Sequence, residues 1–435
     1  MSTRQEGRKA AHSGDGALAA ERFLVEAISV LHANGAETDR AERRTGQLAR
    51  ALGLNARVDL GWSWSDFSFE SKAGAYDVRG NGAVPSGLAE NRVLAVDHII
   101  NDLDAGKLAL ADAFERLRSA ATLPPPNIAL YAIACVVGGC GLAVIFGVRE
   151  LTTLALIAVC CAAGAFARRG LGKAGANAYA QVAAAALIAG LGGAAASGLG
   201  MNSALGLAAL CPCLILVPGP HLLKGSLDIA TLRIPLGASR LVFAAALMTA
   251  VTAGLLIGLW LGRAHLVADP AGPGVPIWVD VPTAGVLAVA YGVFYAVPLR
   301  VLYWAFLVGA AAHALRWTVV DHWHAQAWIG AGLACLFVGL VLVPVCERWQ
   351  LPFSALGFAS VVSLVPGSLI FRALAAFAQL SSATGAESQQ LLATTAAEAS
   401  TAALILLAMP LGFLIADAVW SHSRLLDATM RFPSR

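Results

Sequence analysis

Charge is what this sequence lacks most. Only 13% of its 435 residues are Asp, Glu, Lys or Arg, roughly half the share of an average soluble chain. With 58% apolar side chains and a mean hydropathy of +0.69, that scarcity excludes a disordered polypeptide and a single water-soluble globular domain. The scarcity is also local. Residues 1–125 hold 15 Lys/Arg against 17 Asp/Glu, whereas residues 126–435 hold 15 against 10. An ordinary soluble domain therefore precedes a membrane domain.

Cysteine is missing from residues 1–125. All eight cysteines lie in or beside apolar stretches from Cys135 onward, which excludes a disulfide scaffold. Cys211-Pro212-Cys213 has the look of a redox or metal pair, but no second pair, His or carboxylate stands close by, so it reads as buried small-residue packing. A Walker A sequence is also missing, which argues against ATP-driven pumping by this chain alone. Gly170 to Gly175 fits G-x-G-x-x-G, yet no strand precedes it and apolar runs flank it, so a basic turn is expected. Asp321-His322-Trp323-His324 reads as an interfacial cluster and not as a metal centre. The first twenty residues contain no apolar core of a signal peptide. No cofactor and no catalytic residue is expected.

Residues 1–16 are expected to be a disordered tail and 17–123 a cytoplasmic α+β domain. Residues 17–33 and 38–52 pattern as helices, 56–79 as two or three strands with alternating Trp and Phe, and 90–103 and 109–120 as two more helices. Pro124-Pro125-Pro126 then marks a stiff boundary. Beyond it, ten apolar runs long enough to cross a bilayer are expected at 128–147, 151–167, 177–197, 202–218, 239–262, 283–298, 301–319, 327–345, 354–371 and 400–419. Residues 264–281, with Pro270, Pro273 and Pro276, read as an irregular outer loop, and 420–435 as a cytoplasmic tail. With the N-terminus inside, eleven basic residues of the membrane part fall on inner segments and four on outer ones, which agrees with the positive-inside rule.

The fourth run ends in Leu216-Val217-Pro218-Gly219 and the ninth contains Leu364-Val365-Pro366-Gly367. The same motif at matching places suggests two five-helix units, 128–262 and 283–419. Because five is odd, such units face opposite ways, the inverted-repeat plan of many secondary transporters. Proline removes an N–H donor and glycine removes side-chain cover, so each motif reads as a helix break with polar backbone facing protein, water or solute. A plain helix terminus at the interface is the alternative. Pro218, Gly219, Pro220, Pro366, Gly367 and Ser368 are therefore substrate-path candidates. Lys224 and Asp228 stand four apart on one helix face, suited to an ion pair on an inner loop, to lipid phosphates, or to a solute ammonium on Asp228. Arg372 joins them as a candidate for a solute carboxylate or a snorkelling cation. Asn177, Gln181 and Glu398 are further path-lining candidates, while Asp417 marks an interface. Gly254, Gly258 and Gly262 form a small-residue face for helix contact.

Several of these residues resemble the threonine/serine exporter family. The resemblance runs through Gly35-Ala36-Glu37-Thr38-Asp39-Arg40-Ala41-Glu42, Gly106-Lys107-Leu108, Pro218-Gly219 with Gly225-Ser226-Leu227-Asp228, Ser239-Arg240-Leu241, and Pro366-Gly367-Ser368 with Arg372-Ala373-Leu374. It spans about residues 20 to 420. It implies a cytoplasmic domain fused to ten membrane helices in a bacterial inner membrane. It also implies export of threonine, serine or similar small amino acids, coupled to the membrane potential or a proton gradient. A homo-oligomer is compatible with the sequence; a nucleic-acid partner is not expected. The competing readings are a channel-like pore for small solutes, a membrane-tethered hydrolase and a partner-binding scaffold.

Overall fold

The computed structural model describes residues 14–71, 74–80, 84–85, 87–199, 205–264, 275–349, 351, 353–380 and 383–430. They fall into two compact units, one of residues 1–125 with 295–298, the other of 126–294 with 299–435. Of the expected N-terminal tail, residues 14–16 open the first helix and the rest lies outside the described residues.

The first unit contains helices α1 (Gly14–Ala33) and α2 (Thr38–Leu52), strands β1 (Ala56–Leu60), β2 (Ser65–Ser71) and β3 (Gly74–Gly80), and helices α3 (Glu90–Asp104) and α4 (Leu110–Ala121). The strands form an antiparallel meander in the order β1-β2-β3, with Val58 opposite Phe67 and Phe67 opposite Val78. Phe67 and Phe69 bury one face of it, as the two-residue period of a strand requires. Helix α2 stops at Gly53, whose φ of 73° suits a residue without a Cβ. Its Arg40 and Arg44 both bond the fully buried Asp97 of α3, Arg44 at 2.7 Å. One carboxylate with two guanidinium partners is a desolvated charge held by full pairing.

The second unit begins after the triple proline, where the Asn127 side chain accepts from the Leu130 N–H and starts α5. Its helices are α5 (Ile128–Ile145), α6 (Leu151–Lys173), α7 (Ala178–Gly198), α8 (Leu205–Leu214), α9 (Gly219–Ala230), α10 (Ile234–Leu261), α11 (Ile277–Phe294), α12 (Leu302–Trp317), α13 (Ala327–Trp349), α14 (Phe353–Val361), α15 (Gly367–Gln379) and α16 (Gly385–Met430). Seven are long and apolar enough to cross a membrane, and two bent pairs, α8 with α9 and α14 with α15, raise the number to nine. Helix α12 is shorter, although the chain is helical without a gap from Leu299 to His322. Val159, Val242, Trp260 and Leu407 are exposed on the outside of this bundle, as lipid contact demands. The protein is a multi-pass helical membrane protein.

One open reading narrows here and one expectation changes. The polar stretch after Pro218, for which an inner-loop helix and a solute-binding segment were both open, is α9, which follows α8 across a bend, with His221, Lys224 and Asp228 buried. It belongs inside because its polar residues face protein. The end of the expected outer loop is also helical: α11 starts at Ile277, and Asp280 is buried in its first turn. Pro276 ends the irregular chain at a place where a helix tolerates it. Residues 265–274 of that loop lie outside the described residues.

Helix directions follow from side-chain contacts. Tyr131 at the start of α5 stacks on Phe294 at the end of α11, with ring centroids 5.3 Å apart, so these ends share one face, called proximal. Arg168 near the end of α6 lies over the same Phe294, so α7 also starts proximally. Helix α10 runs parallel to α7, with Gly254 against Ala183 and Gly258 against Leu187. At the opposite, distal face the Trp317 indole donates to the Val275 carbonyl and Gly330 at the start of α13 meets Arg316. Helix α16 runs parallel to α13, with Gly332 against Ala408 and Gly339 against Ala416. Corresponding helices of the two halves thus run in opposite directions. Helix α9 leaves its break proximally and α15 leaves its break distally.

The Asp97 pairing yields a prediction. Asp97→Ala leaves the buried Arg40 and the part-buried Arg44 without their shared carboxylate, which costs about 3–5 kcal/mol. The expected result is early proteolysis and early thermal unfolding of the first unit in detergent-purified protein, with the membrane helices intact.

Candidate functional site

Both Pro-Gly motifs adopt one backbone design. At Pro218 (φ −78°, ψ 55°) the chain turns so that the Gly219 N–H donates to the Val217 carbonyl at 2.8 Å. At Pro366 (φ −77°, ψ 47°) the Gly367 N–H donates to the Val365 carbonyl at 2.7 Å. These are inverse γ-turns. Proline cannot continue the helical ladder, and the chain bends by 59° at the first break and 48° at the second.

The two breaks pack on each other. A Cβ on Gly219 would lie 3.4 Å from Val365 Cγ2, and one on Gly367 would lie 2.8 Å from Val217 Cγ2. A cavity of about 230 Å³ ends on them, lined by Val217, Gly219, Pro366, Gly367, Ser368 and Tyr291 among others. From α12 it is lined by His313 and Arg316, near the distal face, and from α16 by Thr401. Tyr291 donates to the Leu214 carbonyl at 3.2 Å, a carbonyl released where α8 stops.

The breaks differ in one respect. Helix α9 begins Gly219-Pro220-His221; Pro220 has no N–H and the His221 N–H donates to the Pro218 carbonyl. Helix α15 begins Gly367-Ser368-Leu369, and among the described residues the N–H groups of Ser368 and Leu369 find no backbone acceptor. Two first-turn amides without a backbone acceptor thus belong to residues that line the cavity, at the positive end of a helix dipole.

The charged candidates lie on either side of the breaks. On the proximal side the Asp228 carboxylate accepts from Arg240 at 2.5 Å, both buried, and the Lys224 ammonium sits 4.9 Å over the Phe358 ring, a cation–π contact. On the distal side Arg372 pairs with Glu398 at 3.0 Å, with side chains 26% and 19% exposed. Lys224 and Arg372 each come five residues after the glycine of their break. Asn177 and Gln181 stay at the start of α7: Asn177 accepts from the Ala180 N–H and Gln181 donates to the Ala176 carbonyl. Neither lines the cavity.

Sequence reasoning passed over Arg240 as a site residue and missed one pair. Asp280 in α11 and His313 in α12 meet at 2.7 Å, both buried. The usable signal was one acid and one histidine at similar distances on either side of the 295–301 connection, a spacing that brings them level in an antiparallel pair.

Paired helix breaks beneath a cavity, in two halves of opposite direction, have the build of a secondary transporter. One threonine/serine exporter family model matches residues 22–262 and a second matches 280–419. The chain belongs to the threonine/serine exporter family, a family of transporters. No curated protein and no solved structure matches it.

The close approach at the breaks sets an order of sensitivity. Gly367→Val should abolish transport of purified, monodisperse protein, because its Cβ already crowds Val217, whereas Gly219→Ala, which meets Val365 at ordinary contact distance, should keep at least about half of wild-type initial flux.

Proposed function

We propose that this protein exports threonine, serine and similar small amino acids across the bacterial inner membrane by alternating access, driven by the proton-motive force. The packing of the two Pro-Gly breaks against each other at the end of the cavity carries this reading. A zwitterion needs a positive and a negative pole close together, and a broken helix supplies both as backbone dipoles without a buried net charge. The carboxylate docks on the Ser368 and Leu369 amides, and the ammonium on carbonyls freed at the end of the 362–364 turn.

The basic residues support placing the proximal face in the cytoplasm. Arg168, Arg169, Lys173, Arg233, Arg300 and Arg348 lie towards it, and Arg149, Arg263, Arg316 and Arg372 towards the other. The first unit is then cytoplasmic, since it joins α5 at the proximal end. The buried Asp228–Arg240 pair serves as the inner gate and the half-buried Arg372–Glu398 pair as the outer one. The inner gate is the more deeply sealed here, and the cavity reaches His313 and Arg316 on the outer side.

Counterflow in proteoliposomes with a panel of labelled amino acids tests the reading. Threonine and serine should exchange and leucine should not; equal exchange of all, or none, contradicts it. Ser368→Pro copies the first-half sequence, so the helix start is kept while one amide and the hydroxyl are lost. Losing a hydrogen bond to a charged group costs about 1.5–3 kcal/mol, so the half-saturating threonine concentration should rise roughly tenfold or more, with a smaller rise for Ser368→Ala. Asp228→Asn should slow exchange with the protein still in the membrane, because the inner gate no longer seals or reopens on a charge pair.

A further inference from the structure

We propose that the Asp280–His313 pair is the proton-binding site that couples export to the proton gradient, a role that rests on the transporter reading above. His313 Nδ1 lies 2.7 Å from Asp280 Oδ2, both side chains are buried, and His313 also lines the cavity. The pair is therefore buried near the distal face of the membrane unit, at the edge of the substrate route.

The chemistry of its partners separates it from the other two membrane pairs. Asp228–Arg240 and Arg372–Glu398 each contain a guanidinium, which does not release its proton near neutral pH. An imidazole does, and its ordinary titration range covers the pH span across a bacterial membrane. Beside the first turn of α11, Arg149 from the connection between α5 and α6 lines a second cavity with Val279, the residue before Asp280. On α12 the cation of Arg316 lies one turn beyond His313, and past the helix end come the exposed Asp321 and His322. On α11 Thr283, one turn from Asp280, spends its hydroxyl on the Val279 carbonyl, and Tyr291 stands about three turns away. Helix α5 brings only Leu142, Ile145 and Phe146 to the cavity wall, α13 only Ala327 and Ala331, and the 362–364 turn Ser363. Helix α16 brings Thr401, with Glu398 one turn away and held by Arg372.

The proton balance is simple. A proton from distal water adds to the imidazole lone pair, and the pair's net charge goes from −1 to 0. A buried net charge is costly where a neutral pair is not, so the loaded and empty pairs favour different packings of α11 against α12. When the unit reopens proximally the same proton returns to water there. With the distal face outside, one proton enters as one amino acid leaves.

Full-length protein in proteoliposomes tests this with labelled threonine, an imposed pH gradient and an entrapped pH dye. Wild type should show counterflow, accumulation driven by the gradient, and threonine-dependent proton flux. Asp280→Asn, at a residue outside the cavity lining, should keep counterflow within about threefold while losing at least about tenfold in gradient-driven accumulation and in the dye signal, and His313→Gln should lose both of the latter as well. Either variant retaining wild-type accumulation, or Asp280→Asn losing counterflow and accumulation together while remaining monodisperse, overturns the assignment. Wild type that exchanges threonine but ignores the pH gradient overturns this proposal and the coupling to a proton gradient, and leaves export by alternating access standing; wild type without counterflow overturns both. If neither variant can be purified, Asp280→Glu decides, since it keeps a carboxylate: it should shift the pH of half-maximal proton flux, and an unshifted profile contradicts the role.

Discussion

Backbone hydrogen bonding in a medium without water is the constraint on which this membrane unit depends. A helix that stops inside a bilayer leaves amides and carbonyls that lipid cannot satisfy. Here two helices stop, at Pro218 and Pro366, and each is covered by the other: Gly219 against Val365, Gly367 against Val217. Any larger residue at Gly367 pushes the breaks apart. The residues that carry the remaining polar backbone line a cavity.

The rest of the unit repeats this logic by symmetry. Opposed helix directions send α9 to one face and α15 to the other, so the charged residues that follow the breaks end on opposite sides. Gly258 and Gly412 let α7–α10 and α13–α16 approach backbone to backbone, giving each half a rigid outer pair around the broken span. Cys160 and Cys161 fit the same plan, with their sulfurs seated over Gly192 and Gly139.

Much of this was legible in the sequence because lipid imposes long apolar runs and the helical period leaves little freedom. Every element of the first unit was expected within a few residues, since caps and turns such as Gly53 and the triple proline are local signals. The paired Pro-Gly motifs also declared themselves. What was not legible depended on burial. Hydropathy averages over a window, so α9, carrying His221, Lys224 and Asp228, stayed open between a loop helix and a solute-binding segment although its polar face is turned inward. Asp280 disappeared into a proline-rich segment for the same reason. Which charges meet is also a tertiary fact: Arg240 reaches Asp228 from the next helix, a partner that the 224–228 spacing does not reveal. Asn177 attracted notice for its polarity, and its side chain is spent on capping α7.

The central claim is that the start of α15 faces a solute route open to the outside. Labelling of Ser368→Cys with a membrane-impermeant thiol reagent, in a variant whose eight native cysteines are replaced, tests it most directly. The account predicts modification from the outer face that threonine slows and leucine does not. A cysteine that stays unmodified from outside, or that reacts at the same rate with threonine present, would contradict it.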